Sequence, residues 1–212
     1  MLVEDVMQRE VIAVSPKTTL PEALGLVQKR GIRHVPVVAD GELVGIVSDR
    51  DLKRVMASPA TTLERHELGY LLSKLALADF MTRGVVTVGP RHPVEEAARI
   101  MLKERISALP VVEAGRLVGI LTETDVLGLF VRAMGAGEPS SRIDVVLGAG
   151  EASLAGVVRA IEEAPADISS IVTLPGPTGR KEVVVLVKTI NPGPALERLA
   201  ARGYAVRNPS RG

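Results

Sequence analysis

Two short stretches of this 212-residue chain carry residue types that could hold a ligand. In Gly45-Ile46-Val47-Ser48-Asp49-Arg50-Asp51 a hydroxyl is followed three positions later by a carboxylate. Gly119-Ile120-Leu121-Thr122-Glu123-Thr124-Asp125 repeats the pattern. Each stretch leaves a β-branched run and opens a helical one, so hydroxyl and carboxylate meet at a helix start. Two chemistries fit that geometry. One is a capping box, in which the hydroxyl serves the third helical amide and the carboxylate reaches back to the amide of the cap. The other is ligand capture. Free amides at a helix N-terminus bind phosphate, the hydroxyl adds a donor, and Asp51 or Asp125 accepts hydrogen bonds from both hydroxyls of a ribose. A carboxylate suits a vicinal diol because it only accepts and offers two oxygens. The residues alone leave both readings open.

Other chemistries find little support. The three histidines, His34, His66 and His92, are far apart in sequence, and no Ser-His-Asp or metal-ligand arrangement is apparent. Cysteine is absent, which removes disulfides, thiolate catalysis and Cys-based zinc sites. No Gly-rich phosphate loop of the Walker or dinucleotide type is present. A chain that is not an enzyme, with no catalytic cofactor and no metal site, is expected.

The elements that position these residues come as a duplication. Met7–Leu52 recurs without a gap as Met81–Val126, with identities at Val11/Val85, Val14/Val88, Pro16/Pro90, Glu22/Glu96, Pro36/Pro110, Gly41/Gly115, Gly45/Gly119 and Asp51/Asp125. Two copies are too few for a solenoid and predict a pseudo-symmetric pair. In each copy a β-branched run (Val11–Val14, Val85–Val88) is closed by Pro16 or Pro90. Apolar residues at helical spacing follow: Leu20, Ala23, Leu24 and Val27, then Val94, Ala97, Ala98 and Met101. Two strands come next around Asp40-Gly41, a strong hairpin signal, or around Ala114-Gly115. A helix from Asp49 or Glu123 completes a β-α-β-β-α order. Thr61–Ala76 reads as a connecting helix. From Arg142 the pattern changes to β-α-β-β-α-β, the ferredoxin-like order, after a linker-like Gly135–Ser141. The expected organisation is repeat 1 over 1–60, connecting helix over 61–76, repeat 2 over 77–134, linker over 135–141 and a last domain over 142–212.

Composition bounds the partners. A formal net charge of +1 gives no electrostatic case for nucleic acid or an acidic membrane surface. The aromatics Tyr70, Phe80, Phe130 and Tyr204 are too scattered for a base-stacking platform. No apolar run approaches a spanning helix, and Glu4, Asp5 and Glu10 interrupt any signal-peptide core. A soluble cytoplasmic chain is expected.

On Met7…Val11-Ile12-Ala13-Val14, His34-Val35-Pro36-Val37-Val38 and the Gly45–Asp51 motif, each with its counterpart, residues 3 to about 134 resemble a tandem pair of cystathionine-β-synthase (CBS) domains, a Bateman module. The resemblance implies an α/β fold of two packed repeats that bind adenosine-containing ligands such as AMP, ATP or S-adenosylmethionine, and a homodimer of CBS pairs. It implies that Asp51 and Asp125 hold ribose and that Ser48 and Thr122 meet phosphate or ribose. Val11, Ile12 and Ile46 would line the adenine slot of the first copy, and Val85, Val86 and Ile120 that of the second. The copies differ where His34 and Arg50 of the first face Ala108 and Thr124 of the second. Arginine's fork of donors suits phosphate, so a phosphate-bearing nucleotide is expected to prefer the Asp51 site. The last domain resembles an ACT domain through Ser153–Ile161, although Ala149, Glu151 and Ala152 stand where that family has Asp-x-Pro-Gly. The whole order resembles acetoin-utilisation AcuB-type proteins. The expected function is regulatory: adenine-nucleotide sensing relayed to a protein partner or to the ACT-like domain. The alternatives are a structural dimerisation protein with non-functional sites and an amino-acid sensor acting through the ACT-like domain.

Overall fold

The computed structural model describes residues 1–56, 65–135, 139–148, 153–176 and 179–207. Thr61, Ala149, Glu151 and Ala152 lie outside the described residues, as do 136–138 of the linker. By compactness the chain divides into Met1–Val126 and Leu127–Gly212.

In the first unit, α1 (Leu20–Arg30) leads to β1 (His34–Ala39), β2 (Glu42–Ser48) and α2 (Asp49–Met56). After α3 (Arg65–Lys74) the order returns as α4 (Val94–Glu104), β3 (Ala108–Glu113), β4 (Arg116–Thr122) and α5 (Glu123–Ala133), the last running across the division between the units. Both hairpins turn through positive φ at two successive residues, Asp40 and Gly41 in one, Ala114 and Gly115 in the other. That geometry matches strand twist. The hairpins form one sheet in the order β1-β2-β4-β3 and meet at the pair Glu42–Arg116.

The β-branched runs at the start of each copy do not form full strands, contrary to the β-α-β-β-α expectation. Each contributes one parallel bridge, Val14 to Val37 and Val88 to Val111. The reason lies upstream, where each lead-in pairs with the other repeat. Gln8 bridges Ile120 and Thr82 bridges Ile46. Val3 and Glu4 donate their amides to the carbonyls of His92 and Pro90, as Leu77 and Ala78 do to those of Thr18 and Pro16. Leu77 and Met81 are accordingly buried in the first repeat's core with Leu20, Ala23, Val37, Val47 and Leu52. A Cβ on Gly45 would run into the Met81 side chain and crowd the Thr82 carbonyl, and a Cβ on Gly119 would do the same to Met7 and the Gln8 carbonyl. The recurring Met and Gly are therefore one contact, made twice.

The second unit continues with β5 (Ser141–Leu147), α6 (Leu154–Glu162), β6 (Ile168–Pro175), β7 (Lys181–Val187), α7 (Gly193–Ala201) and β8 (Ala205–Arg207). Its antiparallel sheet runs β6-β7-β5-β8. Alternate residues Ile143, Val145 and Leu147 of β5 and Val183, Val185 and Val187 of β7 share one face and pack with Val157, Ile161 and Leu199 of the two helices. Ser153 caps α6, its Oγ accepting from the Gly156 amide at 3.1 Å. Among the described residues no helix is long and apolar enough to cross a membrane.

Candidate functional site

Both hydroxyl-carboxylate motifs fold as capping boxes. Asp51 Oδ2 accepts from the Ser48 amide at 3.0 Å and from Ser48 Oγ at 2.6 Å, while Ser48 Oγ accepts from the Asp51 amide at 3.2 Å. Asp125 Oδ2 accepts from the Thr122 amide at 2.8 Å and from Thr122 Oγ1 at 2.6 Å. One oxygen of each carboxylate is thus fixed by its own helix start. The other oxygen distinguishes the copies. Asp51 Oδ1 accepts from the exposed guanidinium of Arg54, one turn along the same helix. Asp125 Oδ1 accepts from Gln8 Nε2 at 3.0 Å, from the exchanged N-terminal segment.

Each motif borders a cavity, of about 430 Å³ at Asp51 and about 360 Å³ at Asp125. These volumes fall within the range of small-molecule sites. His34, Ile46, Ser48, Arg50 and Asp51 line the first, with Thr82, Arg105, Ile106, Ser107 and Ala108 of the second repeat opposite. Ile120, Thr122, Thr124 and Asp125 line the second, with Gln8, Val11, Ile12, Gly31 and Ile32 opposite.

The exchange groups part of the expected set differently. Val11 and Ile12 wall the Asp125 cavity, not the Asp51 cavity, because pairing of Gln8 with Ile120 carries them there. Val85 and Val86 belong to neither of these linings, and Val86 is exposed. Only Thr82 of that segment reaches the Asp51 cavity. His34 does not distinguish the two sites, because it lines both.

Several lining residues carried no motif. Arg33 borders both cavities, and its Nη2 donates to Thr124 Oγ1. Arg105 borders the Asp51 cavity from the end of α4, with φ at 56° where its counterpart Gly31 has φ at 63°. A residue other than glycine held in the left-handed region carries a backbone cost. Charge around the Asp51 cavity then comes from Arg33, Arg50 and Arg105 against Asp49, Asp51 and Glu123. Around the Asp125 cavity it comes from Arg33 and, when protonated, His34, against Glu10 and Asp125. His34 Nε2 lies 2.8 Å from Ser107 Oγ, a hydrogen bond across the repeats. Burial pushes its imidazole below the ordinary histidine range; Arg33 and Arg50 add to that, and Asp49 and Glu123 oppose it.

The CBS domain family matches residues 3–58 and 77–132. An inosine-5′-monophosphate dehydrogenase of Korarchaeum cryptofilum is 40% identical over 124 residues, and the match covers 58% of this chain and 23% of that enzyme. Thus the matched region spans under a quarter of that relative's length. Among solved structures, the CBS domain pair of protein MJ0100 in complex with 5′-methylthioadenosine and S-adenosyl-L-methionine superposes with a TM-score of 0.53 at 32% identity, over 61% of this chain and 95% of that one. CBSX2 in complex with AMP gives a TM-score of 0.52 at 33% identity, over 62% and 96%. A putative acetoin utilisation protein (AcuB) of Vibrio cholerae gives 0.54 at 33%, over 64% and 93%.

Proposed function

Since this chain belongs to the CBS domain family through two matched segments, we propose that it is a regulatory sensor binding adenosine-containing ligands in the two cavities of its CBS pair. The observation that carries the reading is that each Ser/Thr-x-x-Asp helix start borders a cavity whose opposite side comes from the other repeat. A ligand there touches both repeats and biases their relative arrangement.

In this reading Asp51 and Asp125 accept hydrogen bonds from ribose through Oδ1, displacing Arg54 or Gln8. Both displaced groups are exposed, so the exchange is cheap. Ser48 and Thr122 face phosphate or ribose. Ile46 with Ile106 and Ile120 with Val11 and Ile12 form the apolar walls for adenine. Arg50 and Arg105 make the Asp51 cavity the one for AMP or ATP. The Asp125 cavity, with Thr124 and Gly31 in their place and Glu10 beside them, takes a less anionic ligand, as S-adenosylmethionine or 5′-methylthioadenosine would be. The MJ0100 and CBSX2 complexes support the ligand class.

Residues 142–212 form an ACT-like, ferredoxin-like domain in this reading, supported by the β5-α6-β6-β7-α7-β8 order and the β6-β7-β5-β8 sheet. The ligand signal passes to it or to a protein partner, and the CBS pair assembles as a homodimer. The competing reading of an interaction protein with dead sites draws on the capping bonds, which already use Oδ2 of both carboxylates. Titration calorimetry with AMP, ATP, S-adenosylmethionine and 5′-methylthioadenosine separates the two. Asp51→Ala should weaken AMP far more than Asp125→Ala does. Absence of binding by all four ligands overturns the sensor reading.

A further inference from the structure

The two cavities draw on different residues except at one place, since Arg33 and His34 line both. Their counterparts in the second repeat are Ser107 and Ala108. The position between the repeats therefore receives its positive groups from one copy only. Arg33 is tied to both sides. Its carbonyl accepts from the amide of Asp49, the first residue of α2, at 2.9 Å, and its guanidinium donates to Thr124 Oγ1 in the Asp125 cavity.

The cavities depend on that guanidinium unequally. The Asp51 cavity has Arg50 and Arg105 besides it. In the Asp125 lining Arg33 is the sole Lys or Arg among the described residues, and it faces Glu10 and Asp125.

We propose that Arg33 is a shared anion-binding side chain, a single guanidinium serving two cavities, which makes occupation of both by phosphate-bearing ligands mutually unfavourable. The proposal rests on the nucleotide reading above and adds a coupling between its two sites. A phosphate in the Asp51 cavity draws the guanidinium off Thr124. The Asp125 cavity then presents two carboxylates and no guanidinium, and a second phosphate is repelled. A ligand without phosphate needs no cation there and enters regardless. The first nucleotide thus selects an uncharged or cationic adenosine compound for the second cavity. By linkage, a phosphate ligand in the Asp125 cavity weakens the Asp51 cavity equally.

Calorimetric titration of the full chain with AMP, and with adenosine as the phosphate-free control, tests this. The wild type should bind AMP in two steps, the second about ten-fold weaker or more, on the scale of one lost charged hydrogen bond. Asp51→Ala should leave one AMP step, at Asp125, about ten-fold tighter than the wild-type second step, because nothing then competes for Arg33. Adding Arg33→Ser, which copies Ser107, should abolish that gain. Thr124→Val, which frees the guanidinium and lies outside the Asp51 cavity, should tighten the first step about two- to three-fold. Adenosine should show no such dependence. If AMP fills both cavities and its affinity at Asp125 is the same with and without Asp51→Ala, the shared cation is overturned and the nucleotide reading stands. If neither AMP nor adenosine binds, the nucleotide reading itself falls and takes the coupling with it.

Discussion

Gln8 Nε2 donates a hydrogen bond to Asp125 Oδ1 at 3.0 Å across 117 positions of sequence. The N-terminal segment is therefore a structural part of the second repeat's candidate site. Its counterpart, Thr82, bridges Ile46 in the first repeat. The duplication works as a reciprocal exchange: each hairpin is completed by the lead-in of the other copy. Neither repeat buries its own hairpin face alone, which is the physical reason for a pair.

The exchange depends on glycine at Gly119 and Gly45, where an added Cβ would meet a methionine side chain and a backbone carbonyl. Gly119→Ala should destabilise the CBS pair by about 1–2 kcal/mol through overpacking. Met7→Ala in the same chain should recover part of that loss, since the nearest clash is with the flexible end of Met7. Urea denaturation of the single and double variants measures both effects. The pairing of Gln8 with Ile120 predicts faster proteolysis of the N-terminal segment in Gly119→Ala than in the wild type.

The hairpins, the α1 and α4 helices and the two helix starts were legible in sequence because each is specified locally. Asp40-Gly41 supplies the turn, and Ser48 and Thr122 supply the caps. The partner of each lead-in was not legible, since Val11 and Ile12 reach the Asp125 cavity only through long-range pairing. The signal was present as two separate identities, Met7/Met81 and Gly45/Gly119, whose meaning is a contact between one pair and the other. Arg33 and Arg105 escaped because neither belongs to the motif. Arg105 left one trace: it stands where the first copy ends its helix with Gly31. A helix end that abandons glycine accepts strain, and such positions are worth inspecting.

Arg105→Gly should accordingly separate stability from binding. Relief of the left-handed backbone at φ 56° is expected to stabilise the fold by about 0.5–1 kcal/mol after the extra freedom of glycine in the unfolded chain is allowed for. The same change removes a guanidinium from the Asp51 cavity. AMP affinity should fall there, on the order of ten-fold. Thermal melts and AMP calorimetry on one preparation give both numbers.

Ala114 offers the matching control. Its φ of 48° opens the second hairpin turn, where the first copy has Asp40 at 52°. Asparagine tolerates this conformation better than alanine. Ala114→Asn should raise stability by about 0.5–1 kcal/mol, like Arg105→Gly. It borders neither cavity, so AMP affinity should stay within experimental error.

The half-buried imidazole of His34 should make both stability and AMP binding depend on pH. Burial first, then the guanidinium groups of Arg33 and Arg50, hold its folded-state pKa below the ordinary value; Asp49 and Glu123 oppose them. The unfolded chain therefore takes up the proton at higher pH than the folded one. Its contribution to stability is complete above the unfolded value of about 6.5 and is lost as pH falls through the folded-state value. A phosphate beside the ring favours the imidazolium and raises that pKa. AMP binding should then take up a fraction of a proton near neutral pH and tighten as pH is lowered from about 7.5 to 6. Calorimetry in buffers of different ionisation enthalpy measures the uptake, and urea midpoints over the same range measure the stability. His34→Ala should flatten this residue's part of both profiles while AMP still binds through Arg50 and Arg105. A proton uptake unchanged in His34→Ala would remove the imidazole from the phosphate site.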